Sequence, residues 1–166
     1  MFKKSLLKVA LAGIMLVTVN VGFAQTSDSK WEVEYLTNDF GDKTGECNLI
    51  QTTFDENWLE YTIVIFKIET GFAIGFRCKD FKKEITDSDA YLSYKTENNK
   101  VIEAKKGFYW SNSQIAGFEM SDEIVSLFKN SSKLKIALRL PGYTPAVMEV
   151  DCMGFTKAFN EMIICK

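Results

Sequence analysis

The chain has 166 residues, 20 of them basic and 22 acidic, with four cysteines, no histidine and a formal net charge of −2. That length suits one domain with a real core. The lack of histidine removes the commonest general base and metal ligand, and with it the usual serine and cysteine triads.

Residues 1–24 read as a cleavable secretory signal peptide. Lys3, Lys4 and Lys8 precede an apolar run from Val9 to Val21, and Gly22 and Ala24 put small residues at the −3 and −1 positions of a cleavage site. A membrane-spanning anchor needs ~20 predominantly apolar residues; this run is shorter and gives way to polar Gln25, Thr26, Ser27 and Asp28. Residues 25–166 then form a single β-rich domain with no linker, repeat or low-complexity tract. The leader holds three of the basic residues and none of the acidic ones, so these 142 residues carry 17 basic and 22 acidic groups, a net charge of −5. The positive charges are scattered among acids, which argues against nucleic acid and anionic membrane surfaces as partners. The expected location is periplasmic or secreted, with no stable membrane anchor after cleavage.

The domain opens on Trp31, Val33 and Tyr35, which alternate with Glu32 and Glu34, a half-buried strand. A second strand is expected near Cys47 to Phe54. From Leu59 to Ile68 both parities are apolar, which calls for a strand covered on both faces or one whose inward face is switched by a bulge. Phe72, Ile74, Phe76 and Cys78 again share one parity, and Thr70-Gly71 and Asn98-Asn99 suit hairpin turns. Further strands are expected at Ala90 to Lys95, Val101 to Trp110 and Ile115 to Met120. Ser121 can cap a helix with Asp122 and Glu123 in its first turn and an apolar stripe of Ile124, Leu127 and Phe128, ended by Asn130. Lys133 to Leu140 alternates strictly, as does Ala146 to Cys152, and Phe155, Phe159 and Met162 fall at helical spacing. The pattern predicts a mainly β fold: an antiparallel β-sandwich or partly closed barrel with two short helices.

All four cysteines, Cys47, Cys78, Cys152 and Cys165, lie beyond the leader and none is in a Cys-x-x-Cys pair. Their even number in an exported domain predicts two disulfides rather than a zinc site. Three connectivities are open, and alternation places Cys78 and Cys152 on inward faces.

No catalytic residue, metal ligand or cofactor site is assigned. Ser126-x-x-Lys129 and Lys43-Thr44-Gly45 look like fragments of the penicillin-binding enzymes, but their order is reversed and the Ser-Asp-Asn element is missing. The acidic groups Asp39 with Asp42, Asp55-Glu56 and Asp87-Ser88-Asp89 lack calcium-loop spacing and read as solvated turns. The strongest surface candidate is Phe108-Tyr109-Trp110: in a strand the middle ring faces away from its neighbours, so Tyr109 or Trp110 is the candidate binding residue.

The C-terminal part, with the helix from Asp122 to Lys129, the strand Lys133-Leu134-Lys135-Ile136-Ala137-Leu138, a second strand and the ending Gly154-Phe155-Thr156-Lys157-Ala158-Phe159, resembles the invasion-associated locus B family. The resemblance covers about 40 residues and implies a small exported bacterial β-sandwich protein linked to the envelope or to host interaction. Taken together, the sequence predicts a non-enzymatic binding module acting on a protein partner. The alternative is a structural accessory subunit of an envelope or secretion assembly.

Overall fold

The computed structural model describes residues 30–81, 88–98, 100–110 and 114–165, with the side chains of residues 103–105 and 110 excepted. The leader and its cleavage site lie outside the described residues. Nine strands follow in chain order: β1 (Glu32–Thr37), β2 (Lys43–Phe54), β3 (Glu60–Ile68), β4 (Gly71–Cys78), β5 (Ser88–Thr96), β6 (Val101–Trp110), β7 (Ile115–Met120), β8 (Lys133–Arg139) and β9 (Ala146–Asp151). Helix α1 (Asp122–Asn130) precedes β8 and helix α2 (Phe155–Ile164) follows β9. The strands form one antiparallel sheet ordered β1-β2-β3-β4-β7-β6-β5-β8-β9. A single sheet decides between the two expected architectures in favour of the curled, partly closed barrel.

Closure depends on β2, whose twelve residues serve two neighbours. Its first part pairs with β1 as far as Ile50, opposite Glu32. Beyond that point its side chains reach β9: Gln51 Nε2 donates to the Asp151 carbonyl at 2.9 Å and Thr53 Oγ1 to the Glu149 carbonyl at 2.9 Å. Trp31 Nε1 donates to the same Asp151 carbonyl at 2.7 Å, and Asp55 makes an isolated bridge to Met148. These bonds give part-buried carbonyls of β9 partners where the backbone ladder has ended.

Alternation decides what lies inside. Leu49, Ile63, Ile65, Ile74, Phe76, Leu92, Phe118, Leu134, Ile136, Met148 and Val150 fill the interior. The double parity of β3 is explained by a second, smaller cluster on the outer face, where Val64, Phe66, Ala73 and Ile115 pack together. The β3 pairings run without a shift, so no bulge is involved. Gly75 borders this cluster, where a Cβ would stand at ordinary contact distance, 3.4 Å from Ile115 Cγ2 and 3.7 Å from the Phe66 ring.

One end of the barrel is closed by the helices. Ser121 Oγ accepts the Ile124 N–H at 3.4 Å, and the face of α1 carrying Ile124 and Phe128 turns inward. Helix α2 starts at Gly154, whose φ of +78° suits a residue without a side chain, and buries Phe155, Ala158, Phe159 and Met162. Phe128 sits among Trp31, Tyr94 and Phe155, with ring centroids at 5.9, 6.3 and 5.1 Å. Phe155 stacks on Phe159 at 5.2 Å, and Phe159 meets Phe72 at 4.7 Å. The Ser126-x-x-Lys129 fragment lies on the exposed side of α1, where Ser126 Oγ accepts from Asn130 Nδ2 and Lys129 Nζ sits 4.9 Å from the Phe159 ring centroid.

The expectation of two disulfides is corrected to one. Cys47 on β2 is bonded to Cys165 just beyond α2, a link across 118 residues that fastens the closing helix to the barrel. Cys78 and Cys152 are free and buried. Both do face inward, but at different heights. Cys78 pairs with Tyr61, which pairs with Thr53, which bonds Glu149, and Cys152 lies three residues further along. Three residues of strand amount to ~10 Å, beyond the ~7 Å Cα limit for a disulfide.

Candidate functional site

At the end of the barrel opposite the helices, the β2–β3 turn, Phe54 to Glu60, forms part of the rim. Asp55 folds this turn around its own carboxylate: Oδ1 accepts the backbone N–H groups of Asn57 at 2.8 Å and Leu59 at 2.9 Å. Backbone bonds from Asp55 N to Leu59 O and from Trp58 N to Asp55 O, both 3.0 Å, close the loop, and Glu56 N donates to Val147 O at 3.2 Å. The result departs from the solvated turn expected of Asp55-Glu56, because Asp55 is only 7% exposed. Its oxygen serves as the acceptor for otherwise unpaired turn donors.

This rigid turn holds Trp58 in an unusual way. Its φ is +63°, the left-handed region that a bulky residue avoids. Its side chain is 84% exposed, and neighbouring Phe54 is 48% exposed with its ring centroid 6.4 Å away. Leu59 extends the apolar tip.

Beside the tip lies a cleft of about 360 Å³. Asp55 and Tyr61 from the β2–β3 hairpin form one side, Cys78 at the end of β4 with Asp80 and Phe81 beyond it another, and Tyr143 in the β8–β9 loop a third. Phe81 is the hub of the aromatic wall, packing edge-on against Tyr61, Tyr109 and Tyr143 at 5.8, 5.6 and 5.7 Å. Burial pushes the Tyr61 hydroxyl well above its ordinary range, and the nearby Cys78, Asp55 and Asp80 add to the rise. The Cys78 thiol is also raised, chiefly by burial. Both groups are therefore neutral near pH 7, and the charge at the mouth comes from carboxylates. No described residue of the lining is basic.

The sequence candidates fall elsewhere. Tyr109 is fully buried, so it is not the solvent-facing ring expected; it stands behind Phe81 as support for the cleft wall. The side chain of Trp110 lies outside the described residues. Phe108 is half-buried against the outer cluster. Tyr109 takes the inward parity of its strand. Trp58 was missed because it belongs to no periodic segment; its one local signal is a lone tryptophan inside an otherwise polar turn, Asp55-Glu56-Asn57. Among the described residues no group of metal-ligating side chains converges, and no helix is long and apolar enough to cross a membrane.

No family model matches the sequence, and no curated protein does. Among solved structures, the fold is similar to that of invasion associated protein B from Bartonella henselae, with a TM-score of 0.52 and 15% sequence identity over 81% of this chain and 92% of that one. The likeness extends over most of the chain, where the sequence resemblance was confined to its C-terminal part. At this identity, what the two proteins share is the architecture.

Proposed function

We propose that this chain is an exported, non-enzymatic binding module that engages a protein partner through the Trp58 turn and the cleft beside it. The observation that carries the reading is Trp58: a large aromatic ring held in solvent, on a strained backbone, by a turn whose bonds leave it little freedom. Both features cost stability in the isolated chain, and neither is required by the core. Strain and exposed aromatics of this kind collect at binding sites, where tryptophan is a preferred anchor. Export is supported by the charge, apolar run and small-residue exit of residues 1–24 and by a disulfide tying Cys47 to Cys165. The fold shared with invasion associated protein B is compatible with an envelope or host-facing role.

The test is capture of a partner from bacterial envelope and host-cell extracts by the immobilised mature protein, compared with Trp58→Ser and Phe54→Ser. The reading expects a reproducible partner whose recovery falls at least about tenfold with Trp58→Ser, as for an anchor contributing ~2 kcal/mol or more. Recovery that is absent, or indifferent to both substitutions, would overturn it.

A further inference from the structure

We propose that Gln114 is a positioning residue of the binding site: its amide holds the segment after β4 so that Phe81 stands as the aromatic wall of the cleft. This rests on the binding reading above and adds the second jaw of the same site. Among the described residues the left-handed region belongs to Gly41, Gly45, Gly71, Gly142 and Gly154, and otherwise to Trp58 at φ +63° and Gln114 at φ +53°. Trp58 stands on one rim of the cleft, and Gln114 reaches the other. The chain has a glycine solution for such a place. The β1–β2 turn repeats the bonding of the β2–β3 turn: Asn38 Oδ1 accepts the N–H groups of Phe40 at 3.0 Å and Asp42 at 2.9 Å, while Asn38 N and Gly41 N donate to Asp42 O and Asn38 O. There the left-handed position is Gly41, where the β2–β3 turn has Trp58. A residue with a side chain takes that backbone at a cost which glycine does not incur. Side chains carry this strain at two positions, both at this cleft, which is where strain serves a pre-organised site.

What Gln114 gains from its backbone is a reach across the end of the sheet. The ladder between β4 and β7 ends at Arg77 opposite Ile115. Gln114 stands directly before β7 and continues the link with its side chain, its Nε2 donating to the carbonyls of Phe81 and Lys79. Phe81 N closes a turn on Cys78 O at 3.3 Å, and the Phe81 ring meets Tyr61, Tyr109 and Tyr143 edge-on. Fixing the Phe81 backbone therefore fixes the ring on which the wall is built. Lys79 and Asp80 are exposed, so along this stretch packing acts through the Phe81 ring, and the Gln114 bonds set where that ring sits.

Two variants test this. Gln114→Glu keeps the shape and sets an acceptor against two carbonyls, whereas Gln114→Gly removes the side chain and the backbone strain together. In the folded, disulfide-intact mature protein, labelling by N-ethylmaleimide is followed by mass spectrometry at Cys78, which lines the cleft, and at Cys152, which does not. Both variants are expected to raise the Cys78 rate about fivefold relative to Cys152 and to lower partner recovery by about the same factor, the effect of one net hydrogen bond lost. Gln114→Gly should move the melting midpoint by no more than about 3 °C. A Cys78 rate unchanged relative to Cys152 in both variants, a rise at both thiols together with a large fall in the melting midpoint, or partner recovery equal to the parent's would each overturn the inference. The two readings fail separately. A parent protein that captures no partner removes the binding reading, whereas the ratio of Cys78 to Cys152 labelling reports on the wall without any partner.

Discussion

At the helical end of the barrel Trp31, Phe128, Phe155 and Phe159 are sealed against one another, while at the open end Phe54 and Trp58 stand in solvent above a cleft. Both ends are rich in aromatic rings, so composition does not distinguish them. Covering elements do: α1 and α2 lie over one mouth and the Cys47–Cys165 bond fastens them there. Among the described residues the other mouth carries turns, one of which is stiffened by Asp55. The lesson is that stability and recognition are segregated along the barrel axis, and substitutions at the two ends should behave oppositely.

The largest effect is expected at the helical end. Phe128→Ala removes a ring in contact with Trp31, Tyr94 and Phe155 and should cost about 3–5 kcal/mol, read as a lower denaturant midpoint. A loss below about 1 kcal/mol would mean that the plug is not the stabilising element. Replacing Cys47 and Cys165 together by serine should cost about 2–4 kcal/mol, since the crosslink closes a long loop. Alkylation in denaturant should label two thiols before reduction and four after; no labelled thiol before reduction would restore a second disulfide.

A smaller effect comes from the buried thiols. Burial pushes Cys152 up to about 12 from an ordinary value near 9, and Cys78 moves in the same direction. The folded chain thus keeps protons that the unfolded chain releases. Stability is unaffected below about pH 9 and falls as pH climbs from there toward 12, by up to about 1 kcal/mol per pH unit for Cys152. Cys152→Ala should flatten that slope in thermal melts taken between pH 8 and 11. A slope that survives the substitution would assign the alkaline loss to other groups.

The smallest change in stability belongs to the open end. Trp58→Gly relieves a left-handed backbone and removes a ring with little to pack on, so the melting midpoint should move by no more than about 0.5 kcal/mol while partner capture is lost. A drop comparable with that of Phe128→Ala would make Trp58 a structural residue and erase the contrast between the ends.

Much of the fold was legible in the residues because alternation is a local property. Leu134, Ile136 and Leu138 point inward on β8 as their spacing requires, and Ser121 caps α1 where a capping residue stands before acidic ones. The turn after β3 is one residue earlier than Thr70-Gly71 suggests: Gly71, at φ +137°, already pairs with Ile68. The candidate site was much less legible. Local parity says that Tyr109 opposes its neighbours, but only the strands on either side determine which parity meets the core. Trp58 sits in a turn, where no periodicity reports exposure at all.

The sequence by itself determined where the strands and the two helices run and which residues share a face, since each follows from side-chain spacing along a few consecutive residues. Tertiary structure alone decided that the sheet curls until Gln51 and Thr53 reach the carbonyls of Asp151 and Glu149, that Cys47 meets Cys165 while Cys78 and Cys152 stay apart, and that a cleft opens beside Trp58. Those outcomes join residues far apart in the chain, and they depend on twist and closure accumulated over nine strands.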